Sequence, residues 1–413
     1  MIDKAASVLG KQNGQGLFKL PIRDGRLSGF LLLIGLLALS ACSQRHQPSL
    51  MAGAADFHHY PDGGGLFVSA TFERGGKLWR IVPEKQHVYV DYSTDFGKTF
   101  SPPVPVNPEP QTIKASGENR PGIAIDGSGR IYVLYAAEGK QPSAVYASVS
   151  SDDGQSFSAP LPVSDKAAEA NTYQGRLAVS PADQVYAFWH DERDRTDWKQ
   201  AGNAIYLTTA KGQTGFKPIA QKLADTLCDC CHIAAAFDTD GQPVWLARFI
   251  YPGGIRDQGL IKADKNWRVT FDNWVIEACP EHGPALAISD DGRYHSVWFT
   301  QGSVRQGIFY AFSSDKGGHF STPLPLGNPE KLPSHPDVIA SGPHVAVAWT
   351  EFDGHKTQLM LMQSRDGGQT WQAAQAIADS SAETDFPLLL HYQQDLFVSW
   401  NSKNEGYRLI PVR

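Results

Sequence analysis

Four copies of one eight-residue pattern, S-x-D-x-G-x-(T/S/H)-(F/W), constrain this chain more than anything else in it. They read STDFGKTF (93–100), SSDDGQSF (150–157), SSDKGGHF (313–320) and SRDGGQTW (364–371). Asp and Gly tolerate a tight turn, the Asp carboxylate caps neighbouring backbone N–H groups, and the closing aromatic plugs a sheet. The segments SPPVPV, SAPLPV and STPLPL that follow three of the copies read as edge strands, where proline is tolerated. Asp95 and Asp152 lie 57 residues apart, Asp315 and Asp366 lie 51 apart. Degenerate copies, TTAKGQTGF (208–216) and ADKNW (263–267), fill the gap between them.

A second unit alternates with the first. It recurs as IAIDGSGRIYVLYA (123–136), LAVSPADQVYAFWH (177–190), AAFDTDGQPVWLAR (235–248), LAISDDGRYHSVWF (286–299), VIASGPHVAVAWT (338–350) and LLHYQQDLFVSW (389–400), with FVSATFE (67–73) as a partial first copy. Each reads as strand, tight turn, strand, with the alternation expected of a sheet covered on both faces. The 39 Gly and 27 Pro among 413 residues agree with many turns and short strands. A unit of about fifty residues holding about four strands is a propeller blade.

The eight-residue boxes resemble the Asp-box, or BNR, repeats of sialidase-like β-propellers. The resemblance covers nearly all of residues 61–413. It implies an all-β chain, a single propeller of six or seven four-stranded blades, with the boxes as structural turns on the rim. Counting the second unit favours seven. The last repeat, ending in YRLIPVR (407–413), lacks an outer strand.

Residues 1–42 read as a targeting segment. Lys4, Lys11, Lys19, Arg23 and Arg26 precede the apolar run FLLLIGLLALSAC (30–42), which is too short for a membrane span. Leu39-Ser40-Ala41-Cys42 resembles a bacterial lipobox, which implies lipidation at Cys42 and an extracytoplasmic protein held at a membrane by that anchor. Ser43 after it implies sorting to the outer membrane, on the periplasmic or surface side. Residues 43–60 are then a linker able to supply the closing strand. A net charge of −6 and a pI near 6.1 argue against a nucleic-acid partner.

In propellers the first strand of each blade lines the central channel, and ligands bind where these strands begin. The segments leading into them bring Glu118-Asn119-Arg120, Tyr173-Gln174, Cys231-His232, His282-Gly283, Ser334-His335 and Asp385-Phe386 to one level. CDCCHIAAAFD (228–238) aligns without gaps on CPEHGPALAIS (279–289), so Cys228 corresponds to Cys279. In an oxidising compartment these cysteines can form a Cys228–Cys279 disulfide between adjacent blades, with Cys230 and Cys231 paired or reduced. They can instead hold copper or zinc with His232, His282 or His335, or form a redox-active thiol pair. We expect a mixed site, with Cys228 and Cys279 bridged and Cys230 and Cys231 reduced beside a histidine.

Sialidases clamp a substrate carboxylate with three arginines, and the resemblance singles out Asn119-Arg120-Pro121, at the start of an inner strand. Trp79-Arg80-Ile81-Val82-Pro83 matches the family motif in letters but leads into the wrong strand. Arg256 and Arg305 complete the candidate triad, with Tyr173 and Asp385 as further ligand-binding candidates. No tyrosine–glutamate nucleophile pair is recognisable. The expected function is therefore ligand binding in the axial funnel, the ligand being a small molecule, a glycan or an envelope protein, with a Cys/His metal or redox site. The alternative is an exo-α-sialidase or a non-catalytic glycan-binding module.

Overall fold

The computed structural model describes residues 65–413, apart from 139–142, 196–201, 211–214, 217–218 and 279. Residues 1–64 lie outside it, and with them the targeting segment, Cys42 and the expected closing strand.

Antiparallel hairpins build seven blades, numbered here I to VII in chain order. Blade I runs Ser69–Phe72, Leu78–Pro83, Val88–Ser93 and Val104–Pro105. The inner strands of the other six are Gly122–Ile125, Thr172–Val179, Ala234–Phe237, Ala285–Ile288, Ser334–Ser341 and Leu388–Tyr392. Blade VII has three strands among the described residues, ending with Gly406–Pro411. The only helical element among the described residues is the 3-10 turn Pro329–Lys331.

Apolar residues gather between blades rather than within one. Trp79, Ile81 and Val90 of blade I pack with Ile131, Val133 and Tyr135 of blade II. Phe188 and Ile205 of blade III meet Trp245 and Phe249 of blade IV, and Val297 and Ile308 of blade V meet Val345 and Trp349 of blade VI. A sheet this short must bury both faces, and a ring of sheets lets each face find a partner. Trp79, Trp189, Trp349 and Trp400 occupy the second strands of their blades and are fully buried. Their indole N–H groups are all satisfied, by Glu73, Asp191, Glu351 and the Asp385 carbonyl.

The four boxes fold alike. In each, the serine hydroxyl accepts from the glycine N–H, and the aspartate accepts from the serine hydroxyl and from the backbone N–H and side chain four residues on. The box glycine has positive φ and presses on the preceding blade. A Cβ on Gly154 would lie 2.6 Å from the Trp79 ring, and one on Gly97 would lie 3.3 Å from Leu409 of blade VII. The box is thus a turn and an inter-blade contact at once. Asp385 joins the ends of the ring, accepting from Phe67 N at 2.5 Å and Val68 N at 3.0 Å.

Candidate functional site

The leads into the inner strands converge at the axis. One oxygen of Glu118 accepts from His232 N and Nδ1, both at 2.8 Å, and from Gly283 N at 3.0 Å. Residues of blades II, IV and V meet at this oxygen, which only a contact across the axis permits. The His232 Nε2 faces the Pro284 carbonyl at 3.0 Å, so both ring nitrogens look at acceptors. Gly283 is required here, because a Cβ would sit 2.4 Å from the His232 ring. Burial opposes ionisation of Glu118, but the charge and N–H groups of His232 prevail and hold its carboxyl far below the usual range. Its other oxygen is buried without a partner.

Beside this pair stand two arginines. Arg120, 3% exposed, donates to the carbonyls of Phe386 at 2.7 Å and Val68 at 3.4 Å. Arg176 donates to the Glu118 carbonyl at 3.4 Å. Neither forms an ion pair with a carboxylate among the described residues, and the Nε of each is buried and unpartnered. Burial pushes both pKa values down, that of Arg176 to about 10. Asp337 and Asp385 accept from backbone N–H groups instead, and burial pushes both up.

Two matching bulges aim these groups. The inner strands of blades III and VI break register between Tyr173 and Arg176 and between Ser334 and Asp337. At each break a non-glycine residue takes positive φ, Gln174 at 50° and His335 at 50°. Such conformations cost free energy and persist where the surroundings impose them, often at ligand sites. The bulges bring Arg176 and Asp337 to the level of Glu118.

An aromatic wall completes the site. The rings of His282 and His335 stack at 4.2 Å, and His335 stacks on Phe386 at 3.3 Å. His282 Nδ1 donates to the Pro280 carbonyl, and His335 Nε2 to the Glu281 carbonyl. Burial, with His282 alongside, pushes the His335 pKa down to about 3, and burial also lowers His282, so both rings are neutral at pH 7.

The three cysteines lie within four residues of His232, on its N-terminal side. Cys228 and Cys231 are 1% and 2% exposed, and Cys230 is partly exposed. The Cys228 sulfur is 3.5 Å from that of Cys230 and 3.3 Å from that of Cys231. All three thiols are free, and their sulfurs lie within 4.8 Å of one another, a grouping able to hold a metal ion. The neighbouring thiols, donating to Cys228, drive its pKa down with help from Arg248 and Arg256. The same contact drives Cys230 up, and burial drives Cys231 up. Cys228, expected in a bridge to Cys279, is a free thiol here; Cys279 itself lies outside the described residues.

The candidates thus separate. Arg120, Asp385, His232, His282 and His335 stand at the axis; Cys228, Cys230 and Cys231 form a cluster beside it. None of the three histidines joins the sulfurs as a ligand group: both ring nitrogens of His232, Nδ1 of His282 and Nε2 of His335 serve Glu118 or backbone carbonyls. Arg256 is not at the axis but donates to the Cys228 sulfur at 3.2 Å. Arg305 leaves the set: it pairs with buried Asp272, which also accepts from Trp298 Nε1. Tyr173 stacks on buried His190 at 5.7 Å and its hydroxyl is held by Asn203, while His190 Nε2 donates to the Cys231 carbonyl. Sequence reasoning missed Arg176 and Asp337. Their signal was a charged residue immediately before the apolar pair of an inner strand, Leu177-Ala178 and Val338-Ile339.

No family model matches the chain, and no curated protein matches its sequence. Its fold is similar to that of a polysaccharide lyase, an ulvan lyase solved bound to a saccharide of GlcA and Rha3S units. The TM-score is 0.56 at 11% identity, over 85% of this chain and 94% of that one. A second structure of a polysaccharide lyase of this kind gives 0.56 at 12% identity, with the same coverage. A Hadza microbial sialidase gives 0.46 at 14% identity, over 77% of this chain and 66% of that one. The likeness to the two lyase structures is one of fold alone.

Proposed function

We propose that this protein is a lipid-anchored envelope propeller whose axial site binds an acidic carbohydrate. One observation carries the reading: Arg120, buried, and Arg176, half-buried with its Nε enclosed, stand together at the axis, and neither forms an ion pair with a carboxylate among the described residues. A buried cation without an ion-pair partner is costly, and a guanidinium fork is shaped to take a carboxylate through two parallel hydrogen bonds. Natural proteins keep such costs where a ligand relieves them. The stacked rings of His282, His335 and Phe386 offer an apolar wall for a sugar ring. The GlcA in the ulvan lyase structure is an acidic sugar of the kind such a site would accept. A sialoside should bind without efficient turnover, because Glu118 is engaged with His232 and Tyr173 with Asn203.

Calorimetric titration of the pure protein tests this. A glucuronate-containing oligosaccharide should bind and its neutral counterpart should not. Equal binding of the two, or rapid release of sialic acid from a fluorogenic sialoside, would sink the reading. The anchor is tested separately: radioactive palmitate should label the wild type and not Cys42→Ala, and an unlabelled wild type would end that part.

A second role is supported by a different observation. The three free sulfurs of Cys228, Cys230 and Cys231 form a pocket for a soft ion, copper or zinc.

A further inference from the structure

We infer that the ion this triad takes is monovalent copper in a three-coordinate, sulfur-only site; the inference rests on the soft-ion reading just given. Three features of the cluster point from the general class to this ion.

The first is the number of donors. Among the described residues, Cys228, Cys230 and Cys231 form a group of three, with no histidine, aspartate or glutamate joining them. Neighbouring imidazoles do not join the sulfurs: His190 Nε2 is on the Cys231 carbonyl and its unpartnered Nδ1 is not among the grouped ligand atoms, while both nitrogens of His232 face other acceptors. A structural zinc site completes a tetrahedron of four ligands, whereas three thiolates alone suit Cu(I).

Charge is the second. Binding would follow Cu⁺ + 3 R–SH → [Cu(SR)₃]²⁻ + 3 H⁺, with three Cu–S bonds replacing three S–H bonds, the protons going to solvent and no change of oxidation state. The product is a dianion in a buried setting, and such a charge needs neighbours of opposite sign. Two guanidiniums supply them. Arg256 Nη1 is 3.2 Å from the Cys228 sulfur, and Arg248, 1% exposed, acts electrostatically on both Cys228 and Cys231. Neither arginine is in an ion pair with a carboxylate among the described residues. Arg248 is spread over backbone carbonyls of His282, Phe299 and Arg256. Zinc on the same three thiolates would carry one negative charge and leave this pair of cations overcompensating.

The third is access. Cys230 is partly exposed while its two partners are buried, so an ion can be delivered at Cys230 and passed inward.

The test uses the full chain, reduced and kept anaerobic, with a Cys42→Ser copy as control for ion held by that thiol. Cu(I) is supplied against bicinchoninate as competitor, and Zn(II) is offered in parallel. The expected result is one Cu(I) per chain withheld from the competitor, with X-ray absorption showing a sulfur-only, three-coordinate shell. Cys230→Ser should weaken Cu(I) binding by more than about a hundredfold, since loss of outer partners alone costs up to that much. Cys279→Ser should leave it unchanged. If Zn(II) displaces Cu(I), or Cys279→Ser costs as much as Cys230→Ser, the three-coordinate copper site is wrong while a soft-ion site stands. If neither ion is withheld, and alkylation of the protein as isolated, before reduction, finds Cys228 in a disulfide, the soft-ion reading falls with it. The absorption measurement on wild-type protein decides even if a cysteine variant fails to fold.

Discussion

The rim and the axis of this propeller are both rich in charged and polar side chains, and they use them in opposite ways. At the rim, Asp152 and Asp315 are exposed and Asp95 and Asp366 half-buried, and each has its oxygens filled by donors within four residues. At the axis, Glu118 and Arg120 are buried and Arg176 is half-buried; they draw their partners from other blades and keep buried atoms with no partner at all. A polar group that closes its own turn stabilises the fold. A polar group left open inside the fold costs stability and is available to something else. The distinction makes predictions that differ in size and in kind.

The largest effect should come where a rim turn meets the core. Gly154 has φ of +77°, and its missing side chain makes room for the Trp79 ring of the preceding blade. Gly154→Ala imposes both a left-handed backbone on alanine and a clash with a buried ring held by Glu73. We expect a loss of about 2–5 kcal/mol, read from urea unfolding. A loss under about 1 kcal/mol would mean that the boxes are not inter-blade contacts.

Next in size is the loss of binding at the axis. Arg176→Met keeps the length of the side chain and removes the unpaired cation. Affinity for a glucuronate-containing oligosaccharide should fall tenfold or more, on the basis of about 1.5–3 kcal/mol for a hydrogen bond to a charged group. Stability should stay within about 1 kcal/mol, because Arg176 is half-buried and forms no ion pair among the described residues that the substitution would break. Unfolding with binding retained would reverse the assignment and make Arg176 structural.

This difference also decides what the sequence could reveal. The boxes were legible because their hydrogen bonds are local: Ser150, Asp152, Gly154 and Ser156 solve their geometry within seven residues, so the solution recurs as letters. The gap-free match of 228–238 to 279–289 placed His232 and His282 together at the axis for the same reason, since strand and turn lengths are conserved from blade to blade within the chain. Arg176 and Asp337 were not legible. They reach the axis through bulges, and the positive φ of Gln174 and His335 that makes the bulges is imposed by packing from other blades. Arg305 was misplaced by treating a charge after a tryptophan-bearing strand as facing inward. Its partner Asp272 lies in a loop that no repeat announces.

A smaller effect should follow pH. Burial and the proximity of His282 push the His335 pKa from 6.5 down to about 3, and burial pushes His190, His282 and His295 down as well. A base whose folded pKa lies below its unfolded value leaves the unfolded chain holding more protons between the two. Stability is therefore full above pH 6.5 and is lost as pH falls from there towards 3. Glu118, depressed in the folded state, adds a loss in the same direction below its unfolded value of 4.5. His335→Phe keeps the stack on Phe386 and removes the titrating ring. It should make the slope between pH 6.5 and 4.5 shallower, by less than about 1 kcal/mol per pH unit because the ring is not wholly shielded. Urea unfolding at a series of pH values reads this, and an unchanged slope would show that His335 does not titrate with folding.

The smallest effect should belong to the most conspicuous residues in the sequence. Asp152→Asn retains the oxygen that accepts from Ser150 Oγ at 2.8 Å and from Ser156 N at 3.0 Å. The substituted amide would face the Ser156 hydroxyl, which now donates to the other carboxylate oxygen and can rotate to accept instead. Nothing is left unpaired, no buried group loses a partner, and the turn keeps its glycine. The midpoint of thermal unfolding should move by less than about 2 °C, and affinity for an acidic oligosaccharide should not move at all. A change in affinity would be the more damaging outcome, because it would couple rim to axis and remove the basis for treating the two polar sets as separate. A large drop in midpoint alone would show only that the carboxylate charge, and not the acceptor geometry, holds the turn.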